Sequence, residues 1–275
     1  MNKTIIPKQN YIKRASGIYV SDRLVYDNTG KKVTKIQGEE EINISPIWPL
    51  TIFRYMPFSR LYTELERKTM TFISPELWTD PFEKAFNTSS KGFNLKCLCF
   101  TFNGSLGEEW AWKAFSNSEQ LVRIEILFEK LVDALSVASS QNGNKWDFYI
   151  SVCDYSLDKR SIISIINQNK KAAKTNNILD CLNMMSIKRK AFSYEKEIRV
   201  FAVPKDNNTE STLQIKKVDY KNFITRVLLE PLEPFQDDLR TKFYSQLQLI
   251  HNAGIKEYFT KQKIKVQQSH LYEIK

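Results

Sequence analysis

Several short stretches of the chain alternate hydrophobic and polar residues, which is the pattern of β-strands with one buried face. The clearest stretch runs from 121 to 127, where Val122, Ile124 and Ile126 alternate with Arg123 and Glu125. Six other short apolar segments are also predicted as strands: 51–55, 69–73, 96–101, 198–202, 213–218 and 224–229. The strands are numerous enough to build an extended sheet.

Hydrophobic residues at spacings of three and four predict amphipathic helices among these strands. Helices are expected at 59–68, from Phe128 to Ala138, from Ile178 to Met185, and after Pro234 as far as Gly254. The order of strands and helices has no regular βαβ rhythm. The pattern therefore favours an α+β fold with a largely antiparallel sheet.

The N-terminal residues 1–45 are interpreted as an extension of the main domain. Short apolar segments lie on both sides of a turn sequence at Asp27–Gly30, which predicts a hairpin. Three consecutive glutamates, Glu39 to Glu41, then end the extension. Residues 46–275 are expected to form one domain, since the whole chain of 275 residues suits one large or two small domains.

Composition points to a cytoplasmic protein. No segment reaches the roughly 18 consecutive apolar residues that a membrane helix needs, so we expect no membrane association. The first residues lack the apolar core and cleavage site of a signal peptide. The four cysteines lie in apolar segments at spacings that match no zinc site, and they are interpreted as buried reduced thiols.

The chain carries a formal net charge of +10, and the excess is concentrated in a few segments. Eight basic and two acidic residues lie between Ser156 and Lys190. Such clustering is typical of a protein that binds a polyanion, and six cations are the candidate nucleic-acid contacts. They are Lys170, Lys171, Lys174, Lys188, Arg189 and Lys190. A solvated lysine-rich surface, or a surface covered by an acidic protein partner, explains the same pattern.

The common catalytic motifs are missing from the sequence. Neither a GxGxxG loop nor a Walker lysine loop is found, and the two histidines, His251 and His270, have no spacing typical of a triad or a metal site. Two glutamates, Glu195 and Glu197, stand out at the opening of an apolar strand. Residues two apart share one face of a strand, and like charges side by side weaken strand pairing. The pair therefore lies either in water or in a functional site.

One resemblance is to an uncharacterised bacterial family, a domain of unknown function often met near phage-defence genes. Its pattern is seen here in four blocks: Phe53-Arg54-Tyr55, Phe72-Ile73-Ser74-Pro75 leading to Asp80-Pro81-Phe82-Glu83, Cys99-Phe100-Thr101 with Trp110-Ala111-Trp112, and Phe192 to Arg199. The similarity covers roughly residues 50 to 230. The segment after Trp112 departs from the family pattern, since it reads Lys113-Ala114-Phe115 where His-Tyr is usual.

A second resemblance joins three of these positions. Arg54 on a first strand, Ser74 closing a second strand, and Glu195-x-Glu197 opening a later strand are similar to the Arg-Ser-Glu signature of the ADP-ribosyltransferases. The resemblance implies a split antiparallel sheet with flanking and inserted helices, and an NAD cleft between the two halves of the sheet. It implies NAD as co-substrate and no metal.

The same resemblance implies roles for individual residues. Glu197 is expected to bind the ribose 2′-hydroxyl and stabilise the oxocarbenium-like state, while Glu195 orients or deprotonates the acceptor. The expected cofactor-binding residues are Arg54, Tyr55, Ser74, Phe72 and Trp112. The implied protein is a toxin of phage defence, held silent by an antitoxin or chaperone partner. Its acceptor is a nucleic acid, with RNA favoured because of the basic segments, or a protein.

Other interpretations of the same residues stay open. A metal-dependent nuclease would use Asp80, Glu83, Glu195 and Glu197 around Mg²⁺. A non-enzymatic polyanion-binding module would keep the carboxylates for structure, for example in ion pairs with Arg199. In the same way, Ser74 would cap a turn and Asp80-Pro81 would start a helix, with Glu83 in its first turn.

Overall fold

The structure of the protein is a computed structural model. It describes residues 8–24, 51–90, 93–102, 111–113, 120–141, 143, 145–171, 177–205, 212–232 and 239–269, without the side chains of 87–90, 169–171 and 239–242. The rest of the expected N-terminal hairpin, residues 25–45, lies outside these ranges.

Strands and helices alternate irregularly along the described residues, as predicted. The strands are β1 (Tyr11–Ala15), β2 (Ile18–Ser21), β3 (Thr51–Pro57), β4 (Thr69–Ile73), β5 (Lys96–Thr101), β6 (Leu121–Leu127), β7 (Trp146–Val152), β8 (Glu197–Pro204), β9 (Thr212–Lys216), β10 (Ile224–Leu229) and β11 (Val266–Gln268). The longer helices are α1 (Phe58–Arg67), α2 (Pro81–Ser90), α3 (Phe128–Gln141), α4 (Lys159–Lys171), α5 (Ile178–Met185) and α6 (Leu239–Lys261).

The strands join in one mixed sheet with the order β1-β2-β7-β8-β5-β3-β6-β10-β11, and β4 and β9 form a branch beside β5. Most neighbours are antiparallel, which confirms the prediction, and the parallel pairs are β2–β7 and β10–β11. Because β1 and β2 join the sheet through β7, residues 11–21 of the expected extension form an edge of the main sheet.

The sheet divides at β5. Near the start of this strand Cys97 lies opposite Ile73 of β4, whereas at its end Thr101 lies opposite Phe53 of β3. Each of these pairings is a single residue pair, so β3 and β4 diverge from a common neighbour. A gap opens between the two branches, and it is bordered by the C-terminal half of β5.

Hydrophobic cores cover both faces of the sheet. The main core lies on the face of Ile198 and Val200 and is covered by α1, α3 and α6. The second core lies on the opposite face, where Phe201 and Cys97 pack against α2, α4 and α5. Because β8 is buried on both faces, its side chains alternate between the two cores, and Glu197 and Arg199 share the face of Phe201.

The last helix is longer than predicted, because it continues through Gly254 to Lys261. Glycine costs about 1 kcal/mol inside a helix relative to alanine. Here Ile255 and Phe259, one and five residues later, are buried in the main core, and their packing outweighs that cost. The helix ends at Lys261, and a capping turn follows in which Lys263 adopts a left-handed φ of 59°.

Four elements were not predicted although their patterns are visible: strands β1, β7 and β11 and helix α4. None of the helices in the described ranges combines the length and hydropathy that a bilayer span requires. Three of the four cysteines are buried, which confirms that prediction, and Cys99 is half-buried.

Candidate active site

A cavity of about 490 Å³ occupies the gap between the two branches of the sheet. Its walls come from β3, the end of β4, nearly all of β5, the start of β8, helix α1 and the segment from Leu77 to Glu83. Polar residues far apart in sequence meet here, and they form two groups around two buried carboxylates, Glu197 and Glu64. The cavity thus lies in the divided part of the sheet.

Glu197 is the first residue of β8 and is only 6% exposed. Its carboxylate accepts hydrogen bonds from Arg199, with Nε to Oε1 and Nη2 to Oε2 both at 3.0 Å. Lys188 Nζ donates to Oε2 at 2.8 Å. The backbone N–H of Glu197 donates to the Tyr155 hydroxyl at 3.0 Å, which fixes the start of the strand. The carboxylate is therefore held rigidly at the cavity wall by two cations.

Glu195 does not share a strand face with Glu197, so the predicted strand register is wrong at this point. Residues Lys190–Glu195 form a 3₁₀ helix, and Lys196 then adopts a left-handed φ of 46° before β8 begins. The two carboxylates meet for a different reason, since Lys188 forms ion pairs with both Glu195 and Glu197. Lys188 is thus the bridge that brings the pair together.

Glu83 completes the group that we call the Glu197 cluster: Glu83, Glu195, Glu197, Lys188 and Arg199. Glu83 pairs with Arg199 and lies 3.9 Å from Lys188 Nζ. It reaches the cavity from the first turn of α2, where the Asp80 carboxylate caps the helix by accepting from the Phe82 N–H at 2.7 Å. The interpretation of Asp80-Pro81 as a helix start is therefore confirmed.

Charges in the Glu197 cluster shift the pKa values of its members in different directions. Burial alone would raise the pKa of Glu197, but the charges of Arg199 and Lys188 outweigh it and hold the pKa well below its usual range. Burial raises the pKa of Glu195 in spite of the nearby Lys188. For Lys188, burial would lower the pKa, but the surrounding glutamates raise it above its usual range. The cluster therefore holds one firmly ionised carboxylate beside one that binds a proton more readily.

The second group, the Glu64 cluster, consists of Arg54, Arg60, Glu64 and Tyr220. Glu64 lies on α1 and is 2% exposed. It accepts from Arg60 Nε at 3.2 Å, lies 3.7 Å from Arg54 Nη1, and accepts from the Tyr220 hydroxyl. Both arginines line the cavity. One carboxylate thus faces two guanidinium groups, so this part of the cavity carries a net positive charge.

Three of the five predicted cofactor-binding residues, Phe72, Ser74 and Trp112, do not line the cavity. Phe72 is fully buried in the main core, where its ring packs 5.8 Å from that of Phe148. Ser74 caps the 3₁₀ helix Pro75–Leu77, since its hydroxyl accepts from the Glu76 N–H at 3.4 Å. The capping interpretation of Ser74 is confirmed. The hydroxyl residue directly opposite Glu197 is instead Thr101 on β5, which lines the cavity.

Tyr55 lines the cavity, and Trp112 lies directly behind it. The two rings make an edge-to-face contact with centroids 5.0 Å apart. Trp112 is 2% exposed, and its indole Nε1 has no hydrogen-bond partner within the described residues. The aromatic side chain that reaches the other wall is Trp78, whose ring packs 4.3 Å from the Arg199 guanidinium. Sequence reasoning missed Trp78 and Thr101 as site residues, and it assigned Lys188 to a nucleic-acid-binding surface instead of this cavity.

The predicted nucleic-acid contacts separate into different environments. Lys188 is buried in the Glu197 cluster, so it adds nothing to a basic surface. Arg189 pairs with Asp80 at 3.1 Å and packs between the rings of Phe82 and Phe192. Lys190 is exposed. Lys174 and the side chains of Lys170 and Lys171 lie outside the described residues.

The four carboxylates of the nuclease alternative each lie against a basic side chain. Asp80 pairs with Arg189, while Glu83, Glu195 and Glu197 surround Lys188. Within the described ranges, no group of three or more histidine, cysteine or acidic residues is arranged to hold a metal ion. This arrangement gives the nuclease interpretation no support.

Comparison with known families identifies one domain. The model of a family described as "Protein of unknown function (DUF2971)" matches residues 111–200. The matched range contains Trp112, Lys188, Glu195, Glu197 and Arg199, and it is consistent with the resemblance to a family of unknown function. Neither a curated protein nor a solved structure matches the chain.

Proposed function

We propose that this protein is an NAD-dependent ADP-ribosyltransferase whose catalytic carboxylate is Glu197. The observation that carries the proposal is the position of this carboxylate: buried, held ionised by two cations, and presented to a cavity in a divided sheet. Cleavage of the bond between nicotinamide and ribose passes through an oxocarbenium-like state. A fixed negative charge beside the ribose stabilises that state more than it stabilises the substrate.

The chemistry of the cavity fits the parts of NAD. Its volume of about 490 Å³ lies within the range of roughly 300–1,000 Å³ typical of ligand pockets. Arg54 and Arg60 share one carboxylate, Glu64, so one positive charge is left over for the diphosphate. Guanidinium groups also bind phosphate oxygens with two parallel hydrogen bonds. Tyr55 and Trp78 offer aromatic surfaces for the rings. The diphosphate then lies at the Glu64 cluster and the reacting ribose at the Glu197 cluster.

The proposed reaction uses the two glutamates for separate steps. Glu197 accepts a hydrogen bond from the ribose 2′-hydroxyl while the glycosidic C–N bond breaks and nicotinamide leaves with the bonding electrons. The acceptor nucleophile then forms a bond to the same ribose carbon and loses its proton to Glu195. Lys188 is a positioning residue, since it holds both carboxylates from one Nζ.

As a toxin of phage defence, such an enzyme would be kept silent by an antitoxin or chaperone in the cytoplasm. Its acceptor is a nucleic acid, with RNA favoured, and the alternative acceptor is a protein. The main competing explanation is a non-enzymatic role, in which Glu197 only neutralises Arg199 and Lys188. Both explanations predict a stable site, but they differ in whether Glu197 is needed for group transfer.

The decisive experiment follows the transfer of label from ³²P-NAD to total RNA, DNA and lysate protein. The parent protein is expected to label one of these fractions, and Glu197→Gln is expected to label none. Glu125→Gln is the matched control, because Glu125 is another buried sheet carboxylate that pairs with Arg123 and Arg226 outside the cavity. Equal labelling by the parent and the folded Glu197→Gln variant would exclude the proposed role.

A further inference from the structure

A second cavity of about 620 Å³ lies at the opposite end of α1 and β4 from the candidate active site. It is lined by four basic residues, Arg67, Lys68, Lys216 and Lys217, and by one acidic residue, Asp219. We call it the basic cleft. None of the described residues forms an ion pair with Arg67, Lys68 or Lys217. Among the described residues, the charges of Arg67, Lys68 and Lys217 are therefore not neutralised by an ion pair.

Pairing of the β4–β9 branch brings the four cations together. Thr69, the first residue of β4, lies directly opposite Lys216, the last residue of β9. The end of α1 and the end of β9 therefore meet, and the Val218 N–H donates to the Lys68 carbonyl at 2.9 Å. Basic residues separated by about 150 positions in sequence thus share one cleft, which no local charge cluster indicates.

Two of these lysines have an unusual backbone conformation. Lys68 and Lys217 have φ values of 49° and 64°, in the left-handed region that residues other than glycine, asparagine and aspartate seldom adopt. Each follows directly on another basic residue, Arg67 or Lys216. Lys68 is the C-cap of α1, and its backbone N–H donates to the Glu64 and Leu65 carbonyls. The two left-handed residues place two ammonium groups on neighbouring chain segments that line the cleft.

We propose that the basic cleft binds the phosphodiester backbone of a single-stranded nucleic acid. Its polar lining includes the amides of Gln141 and Gln214, which donate hydrogen bonds to phosphate oxygens. The described lining contains no aromatic side chain on which a base would stack. Contacts are therefore made to phosphates, and binding has little dependence on base sequence.

The position of the cleft links it to the candidate active site, and this step rests on the proposed function. Thr69 and Ile73 lie on the same face of β4, and they line the basic cleft and the active-site cavity, respectively. Four residues of strand span about 13 Å. A strand of about 4 or more nucleotides, the lower limit of single-strand sites, bridges this distance. The cleft thus anchors the acceptor while one nucleotide reaches the cavity.

Binding of a fluorescein-labelled single-stranded RNA of mixed sequence tests the cleft without reference to catalysis. The test variant is Lys68→Asn/Lys217→Asn, because asparagine tolerates a left-handed φ and carries no charge. The control is Lys263→Asn/Lys265→Asn, which removes two exposed charges outside the cleft and includes another left-handed lysine, with φ 59°. Anisotropy is measured from 50 to 300 mM salt.

We expect the test variant to bind more weakly than the control and to lower the slope of log K against log[salt] by about 1.4, since each contact to a single strand contributes about 0.7. Identical affinity and slope in the two double variants would overturn the inference. Displacement of the RNA by inorganic pyrophosphate, beyond the effect of matched ionic strength, would also overturn it in favour of a small-anion site. The Glu197→Gln variant should bind RNA like the parent, so a failure of the proposed catalysis leaves this test intact.

Discussion

The two charged clusters of the active-site cavity use similar residues in opposite proportions. The Glu64 cluster sets one carboxylate against two guanidinium groups, whereas the Glu197 cluster sets three carboxylates against two cations. Both carboxylates at the centres are almost completely buried. The difference teaches that the cavity is polarised, with its positive part at α1 and its negative part at β8. A ligand with an anionic part and a part that becomes cationic suits this arrangement.

The largest expected effect is on the transfer rate, and it distinguishes a carboxylate that takes part in catalysis from one that only stabilises the fold. Glu197→Gln should lower the rate of ADP-ribosyl transfer by about a hundredfold or more, since the fixed negative charge beside the oxocarbenium-like state is lost. Glu125→Gln should lower the free energy of unfolding and leave the rate per folded molecule unchanged. Rates are measured by label transfer and normalised to the folded fraction from circular dichroism. Equal loss of rate in both variants would attribute the effect to stability alone.

The next effect concerns stability and contrasts the two clusters directly. Glu64→Gln leaves Arg54 and Arg60 with no carboxylate in their cluster, and breaking a buried ion pair in this way costs about 3–5 kcal/mol. Glu197→Gln should cost less, because Glu83 and Glu195 still balance Arg199 and Lys188. Urea unfolding of the two variants gives the comparison. An equal or greater loss of unfolding free energy in Glu197→Gln would show that Glu83 and Glu195 do not compensate for the missing charge in the Glu197 cluster.

A smaller effect tests the positive part of the cavity. Arg54→Lys keeps the charge but removes the planar fork that binds a phosphate with two hydrogen bonds. Loss of one such charged hydrogen bond corresponds to about 1.5–3 kcal/mol, so the KM for NAD should rise roughly tenfold or more with little change in kcat. Arg226→Lys, on the same sheet but outside the cavity lining, is the control and should leave KM unchanged. A fall in kcat without a change in KM would place Arg54 at the reacting ribose instead.

The smallest effect is in the pH dependence of stability. Because the folded state lowers the pKa of Glu197, its stabilising contribution is complete above the ordinary value of 4.5 and is lost as the pH falls below it. Glu195 has a raised pKa, so its contribution is fully present below the ordinary value of 4.5 and is lost as the pH rises above 4.5 through the raised pKa. The stability difference between the parent and Glu197→Gln should therefore shrink from pH 6 to pH 3, whereas for Glu195→Gln the change should have the opposite sign. Urea unfolding across this range measures both, and parallel curves would contradict the assigned pKa directions.

Much of the sheet was predictable from local patterns, because burial of one face imposes alternation on the residues of that strand alone. The predicted strands around Ile124 and Val200 are both present. The strand that contains Phe148 and Ile150 has the same alternation, so it too could have been predicted from the sequence. The predicted end of the last helix, at Gly254, was wrong for a physical reason. Gly254 is a local stop signal, but packing of Ile255 and Phe259 against the sheet outweighs it.

The candidate site was predictable only in part. Glu197, Arg54 and Tyr55 were identified and do line one cavity, because the ends of neighbouring strands converge in a sheet. Lys188 was assigned to a basic surface, since its neighbours Arg189 and Lys190 are also basic. Its actual partners include Glu83, more than 100 residues away, and no local pattern reveals a pairing of that range. The basic cleft was missed for the same reason.

The sequence by itself determined most of the segments that form strands and helices, and it marked Glu197 as an unusual charge at the mouth of an apolar strand. These properties depend on neighbouring residues, whose periodicity sets which face is buried. Only the tertiary structure decided that Lys188 belongs to the carboxylates, that Thr101 rather than Ser74 faces Glu197, and that the cavity is positive at one part and negative at the other. Electrostatic energy depends on distance in space, and folding brings together charges that the chain keeps far apart.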